Sequence, residues 1–185
     1  MISDVLATAE TKMTKAVAVL GRELGSLRTG RASPGLVEHI RIDYYGTPTP
    51  INQIAGISIP EARMLTIQPW DKGILPNIEK AILKSELGLN PSSDGNAIRL
   101  VIPQLTEERR KDLVKLVRKR VEEGRIAIRN IRREALEKLR QMEKETEISE
   151  DEERRAQQKL QDLTDSFIEK VDQVGTNKET EVLET

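Results

Sequence analysis

Six arginines, Arg118, Arg125, Arg129, Arg132, Arg133 and Arg140, are the residues of this sequence whose type and spacing bear most directly on chemistry. At 100° per residue the first four fall on one stripe of a helix, and Arg133 and Arg140 lie close beside it. A guanidinium is always charged, and its planar fork grips two phosphate oxygens at once, where a lysine offers only a point charge. Arg132-Arg133 follows Arg129 within one turn, with no acid between them. The chemistry implied is non-covalent recognition of phosphates, at about 1–3 kcal/mol for each good contact. The same pattern also fits a solvated face balanced locally, with Glu122 near Arg125 and Glu134 beside Arg129 and Arg133.

Other chemistries find little support. The chain has no cysteine and a single histidine, His39, on a predicted strand, so the usual zinc sets cannot be assembled. No nucleophile or acid–base constellation is apparent, and the glycines at 30 and 35 do not make a phosphate-cradling loop. No catalytic residue, metal or cofactor is expected. Aromatic residues make up 2%, which removes the usual stacking platform for single-stranded RNA and leaves phosphate and shape as the expected contacts. Net charge is −1, yet the arginine-rich Arg109 to Arg133 contrasts with the acidic Glu143 to Glu153. No apolar run approaches the roughly 20 residues of a membrane span. The N-terminus lacks a basic region followed by an apolar one, and it reads as a cytoplasmic start.

The arginines need a long, supported helix. Thr106 to Glu145 carries Val114, Val117, Val121, Gly124, Ile128, Ile131, Ala135, Leu139 and Met142 at spacings of three and four, a seam a quarter turn from the arginine stripe. Thr106 is the expected N-cap. Such a rod would run roughly 60 Å and requires partners of similar reach. Ser3 as N-cap and Leu6, Ala9, Met13, Ala16, Leu20, Leu24 and Leu27 supply one; Gly21 and Gly25 share a face with Arg28 and read mainly as tolerated glycines. Ser149 to Glu152 fits a capping box that starts the other, with Ala156, Leu160, Leu163, Phe167, Val171 and Val174 as its seam. Gly175-Thr176-Asn177 is expected to stop or kink this helix, leaving a fraying tail in which Val182 and Leu183 are available to dock.

Between the first two helices the period changes to two. Short strands are expected around Ile40–Tyr44, Ile57–Ile59, Leu65–Ile67 and Ala97–Ile102, with Gly46 to Pro50 as a turn and a helix from about Leu75 to Leu87. Trp70 is undecided between core and surface. The fold class is therefore α+β. A discontinuous three-helix bundle, 1–30 with 105–185, carries an inserted β/α/β domain, 31–104, on two short linkers. Gly30, Arg31, Ala32, Gln104 and Leu105 are the expected hinge.

The stretches Ile2-Ser3-Asp4, Arg28-Thr29-Gly30-Arg31-Ala32-Ser33-Pro34, Tyr44 to Pro50, Leu87-Gly88-Leu89-Asn90-Pro91, Leu105 to Lys111, Arg129-Asn130-Ile131-Arg132-Arg133 and Glu147 to Asp151 resemble the ribosome recycling factor family. The resemblance spans essentially the whole chain. It implies an elongated, L-shaped molecule with dimensions like those of transfer RNA. It also implies binding to the post-termination ribosome against large-subunit ribosomal RNA and action with elongation factor G, whose GTP hydrolysis drives subunit separation; a monomer is expected. The family's RNA-contacting arginines carry over onto Arg28, Arg129, Arg132 and Arg133, with Arg110, which projects toward the seam, as a further member. The sequence departs from the family pattern at Gly124, where a larger small residue is usual, and at Gly175-Thr176-Asn177. On the residues alone two other classes stay open: a scaffold with an exposed apolar stripe, and an enzyme with a pocket in the small domain.

Overall fold

The computed structural model describes residues 1–184. Its helices and strands follow as α1 (Ile2–Gly25), β1 (Arg41–Tyr44), β2 (Thr47–Pro50), β3 (Ala55–Glu61), β4 (Met64–Pro69), α2 (Leu75–Lys84), β5 (Ser92–Ser93), β6 (Ile98–Val101), α3 (Glu107–Lys144) and α4 (Glu150–Glu184). They form two compact units. One comprises Met1–Leu24 and Val114–Glu179; the other comprises Gly25–Leu113 and the end of the chain from Thr180.

In the helical unit α1, α3 and α4 bury their seams together. Ala9, Ala135, Leu139, Ala156 and Leu160, drawn from all three helices, form one cluster, with Leu6, Ile131, Met142 and Leu163 packed around it. Further along, Met13, Val117, Ile128 and Val171 are almost fully buried. The expected N-cap at Ser3 is wrong: the helix already includes Ser3, and the Met1 carbonyl accepts from the Asp4 and Val5 amides. The other two caps form as the sequence suggests. The Arg109 amide donates to Thr106 Oγ1 at 3.1 Å, and Ser149 and Glu152 exchange the reciprocal bonds of a capping box.

The break expected at Gly175-Thr176-Asn177 does not occur, because α4 runs unbroken to Glu184. Glycine costs a helix about 1 kcal/mol relative to alanine. Here close packing outweighs that cost: Gly175 is buried, and a Cβ on it would lie 2.4 Å from Val121 Cγ2. Val182 is buried in the same continuous helix, whereas Leu183 is exposed. A Gly175→Ala variant is expected to lose about 1–3 kcal/mol of stability, since overpacking against a stiff β-branched neighbour exceeds the propensity gain. Thermal unfolding checks this, and an unchanged or raised melting temperature would contradict it.

Gly124 on α3 behaves differently. A Cβ there would meet Leu20 Cδ2 and Val171 Cγ1, both at 3.3 Å, which are side-chain tips able to yield by a few tenths of an ångström. Gly124→Ala should therefore keep most of the helix-propensity gain and raise stability by about 0.5 kcal/mol. A lower melting temperature would show that the two tips cannot move.

The second unit contains a four-stranded antiparallel sheet in the order β3-β4-β6-β5, and a separate β1–β2 hairpin. Leu65 and Ile67 of β4 stand opposite Leu100 and Ile98 of β6, and the four pack with Ile78 and Ile82 of α2 in one core. The expected turn Gly46–Pro50 is corrected: only Tyr45 (φ 49°) and Gly46 (φ 87°) turn the chain, and Thr47–Pro50 is β2. Two consecutive positive φ values give the tight turn whose twist suits a hairpin. Asp43 Oδ1 fixes it by accepting the Gly46 amide at 2.8 Å. Helix α2 stops at Lys84 rather than Leu87, where the Ser85 hydroxyl and amide both donate to the Ile82 carbonyl.

The contacts divide the chain at 24/25 and 113/114 rather than at the expected 30/31 and 104/105, so Gly30, Arg31, Ala32, Gln104 and Leu105 all fall within the second unit. Local packing explains the first shift. A Cβ on Gly35 would lie 2.8 Å from the Gly25 carbonyl oxygen, Thr29 and Ala32 are buried, and the Ala32 amide donates to the Ala62 carbonyl at 2.8 Å.

Candidate nucleic-acid interface

The arginine stripe sits on a helix fixed at both ends and along one side. Thr106 caps the start of α3, its seam is buried against α1 and α4, and Ile148 is buried in the short connection to α4. The quarter-turn offset then leaves the arginines beside the seam, where α4 can reach some of them.

α4 reaches the N-terminal half of the stripe. Arg118 Nε donates to Glu179 Oε1 at 2.9 Å. Arg125 engages Asp172 through Nη2 at 2.7 Å and Nε at 2.8 Å, and Glu122 through Nη1 at 2.9 Å. Its bonds to Glu122 and Asp172 hold the guanidinium above its usual pKa. Arg129 approaches Glu122 at 3.6 Å and is more loosely held. Beyond it the compensation ends. Among the described residues Arg132, Arg133 and Arg140 have no carboxylate partner, and Arg133 and Arg140 are exposed while Arg132 is half-buried.

The local balance expected from Glu134 is not found. Glu134 accepts from Lys12 of α1 at 2.9 Å and lies 3.9 Å from Lys138, so it faces away from Arg129 and Arg133. The bond from Lys12 holds the Glu134 carboxyl below its usual range. The stripe is thus neutralised at Arg118 and Arg125 and bare from Arg132 onward. A phosphate can approach the bare half without first displacing a carboxylate. The neutralising partners Asp172 and Glu179 are distant in sequence; their spacing of seven on α4 was the signal available in the chain.

Arg28 and Arg110 belong to the other compact unit. Both are half-buried, and Arg110 already has a contact within the protein. Trp70, undecided from the sequence, is exposed, as is Tyr45, whose hydroxyl donates to Asp71 Oδ2 at 2.7 Å. That bond, with the Gly73 amide, keeps the Asp71 carboxyl below its ordinary range. Among the described residues no group of three or more His, Asp or Glu side chains is placed to hold a metal, and no helix is long and apolar enough to cross a membrane.

Architecture and charge define a two-unit α+β protein whose discontinuous helical unit displays an uncompensated arginine turn. A family model described as ribosome recycling factor matches residues 20–183. The ribosome-recycling factors of Syntrophomonas wolfei and Roseiflexus sp. are 56% and 58% identical over 184 residues, with full coverage of this chain and of theirs. A solution structure of a ribosome recycling factor aligns with a TM-score of 0.79 at 46% identity, covering 100% of this chain and 98% of that one. A chain described under models for the T. thermophilus ribosome recycling factor and the E. coli elongation factor G bound to the E. coli post-termination complex aligns with a TM-score of 0.72 at 51% identity, covering 99% of each chain. The chain belongs to the ribosome recycling factor family.

Proposed function

We propose that this chain, acting in the cytoplasm as a monomer, binds the post-termination ribosome and, together with elongation factor G, separates it into subunits. One observation carries the site assignment: in a member of this family, Arg132 and Arg133 have no carboxylate partner among the described residues, and the neighbouring Arg129 is held only loosely by Glu122. These side chains hold phosphates of large-subunit ribosomal RNA, with Arg28 and Arg110 as further contacts. GTP is hydrolysed by elongation factor G, and the chain makes and breaks no covalent bond. Gly30, Arg31, Ala32, Gln104 and Leu105 are the proposed flexing points, through which a push from the GTPase displaces contacts between the subunits.

Light scattering of post-termination ribosomes follows the separation directly. Splitting is expected only when the chain, elongation factor G and GTP are all present. Splitting that proceeds equally without the chain, or without the GTPase, would overturn the proposal.

A further inference from the structure

We propose that the groove between β1 and α2 binds an extended acidic peptide segment of a protein partner, which adds to β1 as a further strand. This cavity of about 400 Å³ is lined by residues 40–43 on one side and by Asn77, Lys80, Ala81, Lys84 and Ser85 on the other. It lies entirely within the sheet-bearing unit and shares no residue with the arginine turn of α3.

The hairpin register decides which backbone groups face the groove. Ile42 stands opposite Thr49 and Tyr44 opposite Thr47, while Arg41 and Asp43 stand opposite Pro50 and Pro48. Proline has no N–H, so the pairs that exchange hydrogen bonds are Ile42 with Thr49 and Tyr44 with Thr47. The Ile51 amide, donating to the Ile40 carbonyl at 3.0 Å, continues the same alternation. Arg41 and Asp43 therefore turn their N–H and C=O groups to the outer edge of β1. Asn77 Nδ2 lies 3.4 Å from the Asp43 carbonyl, which sets that edge beside α2. The outward positions of β2 are Pro48 and Pro50, so the opposite edge of the hairpin offers no donor there. The outer edge of β1 keeps the Arg41 N–H and C=O and the Asp43 N–H for an added strand, the Asp43 carbonyl being held by Asn77, and the β2 edge is closed.

Charge selects the occupant. Arg41, Lys80 and Lys84 line the groove, and among the described residues none is paired with a carboxylate. The acid among the lining residues is Asp43, whose Oδ1 is taken by the Gly46 amide. Ile40 and Ala81, both half-buried, make the rest of the lining partly apolar, while Ile42 lies in the core beneath. A strand alternating acidic with apolar residues would satisfy the cations, the apolar lining and the free edge groups together. RNA would answer the cations but neither the apolar lining nor the strand-edge alternation.

The test uses the full chain and a fluorescein-labelled octapeptide alternating Asp with Val. A derivative N-methylated at every residue, which keeps the charge but has no N–H to donate to a strand edge, and a single-stranded uridine octamer serve as comparisons. The plain peptide is expected to bind, to slow hydrogen exchange at the Arg41 and Asp43 amides, and to exceed both comparisons. Lys80→Glu and Lys84→Glu, each at an exposed position, should weaken it by about tenfold, or about 1.4 kcal/mol, with circular dichroism confirming the fold. Equal binding of the N-methylated derivative, preference for the RNA octamer, indifference to both substitutions, or no binding of the plain peptide would each overturn the proposal.

Discussion

Replacing Arg132 and Arg133 together by glutamate should weaken binding to post-termination ribosomes by at least about a hundredfold, on a scale of about 1–3 kcal/mol per lost contact and 1.4 kcal/mol per decade. Charge reversal adds repulsion from the phosphates to the loss of the bidentate grip. The fold should not suffer, because neither side chain has a carboxylate partner among the described residues. Affinity should therefore fall at an unchanged melting temperature. A double variant that binds as wild type would show that the bare arginine turn is solvated surface. Arg125 provides the contrast. It is tied to Asp172 and Glu122, so Arg125→Ala should act mainly on the helical unit and only weakly on RNA affinity.

Leu139→Ala should have the largest effect on stability, about 2–5 kcal/mol. Leu139 is completely buried, and three of its four partners in the central cluster are the alanines Ala9, Ala135 and Ala156. Such short side chains cannot reach into the space a leucine leaves, so the cavity persists. Ribosome binding at low temperature should survive where the fold does, since Leu139 faces the seam and not the arginine stripe. Chemical denaturation measures the loss. A change below about 1 kcal/mol would mean that the helices collapse onto the site, contrary to the rigid packing described.

The helical unit was largely legible because its signals are local and repeated. Spacings of three and four located all three seams, and the side chains of Thr106 and Ser149 capped the helices they precede. The failures came where a tertiary contact overrode a local preference. Gly175 reads as a helix stop until Val121 is seen to occupy the space of its Cβ. Thr47–Pro50 reads as a turn, yet its two prolines fit a strand because the hairpin places them outward, where no amide is needed. The candidate site divides in the same way. The arginine stripe follows from helical geometry alone. Its division into a neutralised and a bare half depends on Asp172 and Glu179, brought from another helix, and on Lys12, which draws Glu134 away.

If the carboxylate-free arginines of α3 anchor the RNA, binding of Arg132→Ala to post-termination ribosomes over a range of salt concentrations must show it. Affinity and subunit splitting should both fall, and the slope of log K against log salt should become shallower by about one, as expected when one phosphate contact is lost. Arg125→Ala in the same series should leave that slope unchanged. If Arg132→Ala keeps the wild-type affinity, slope and splitting, or if Arg125→Ala alone changes them, the anchor lies elsewhere and the account of the site is wrong.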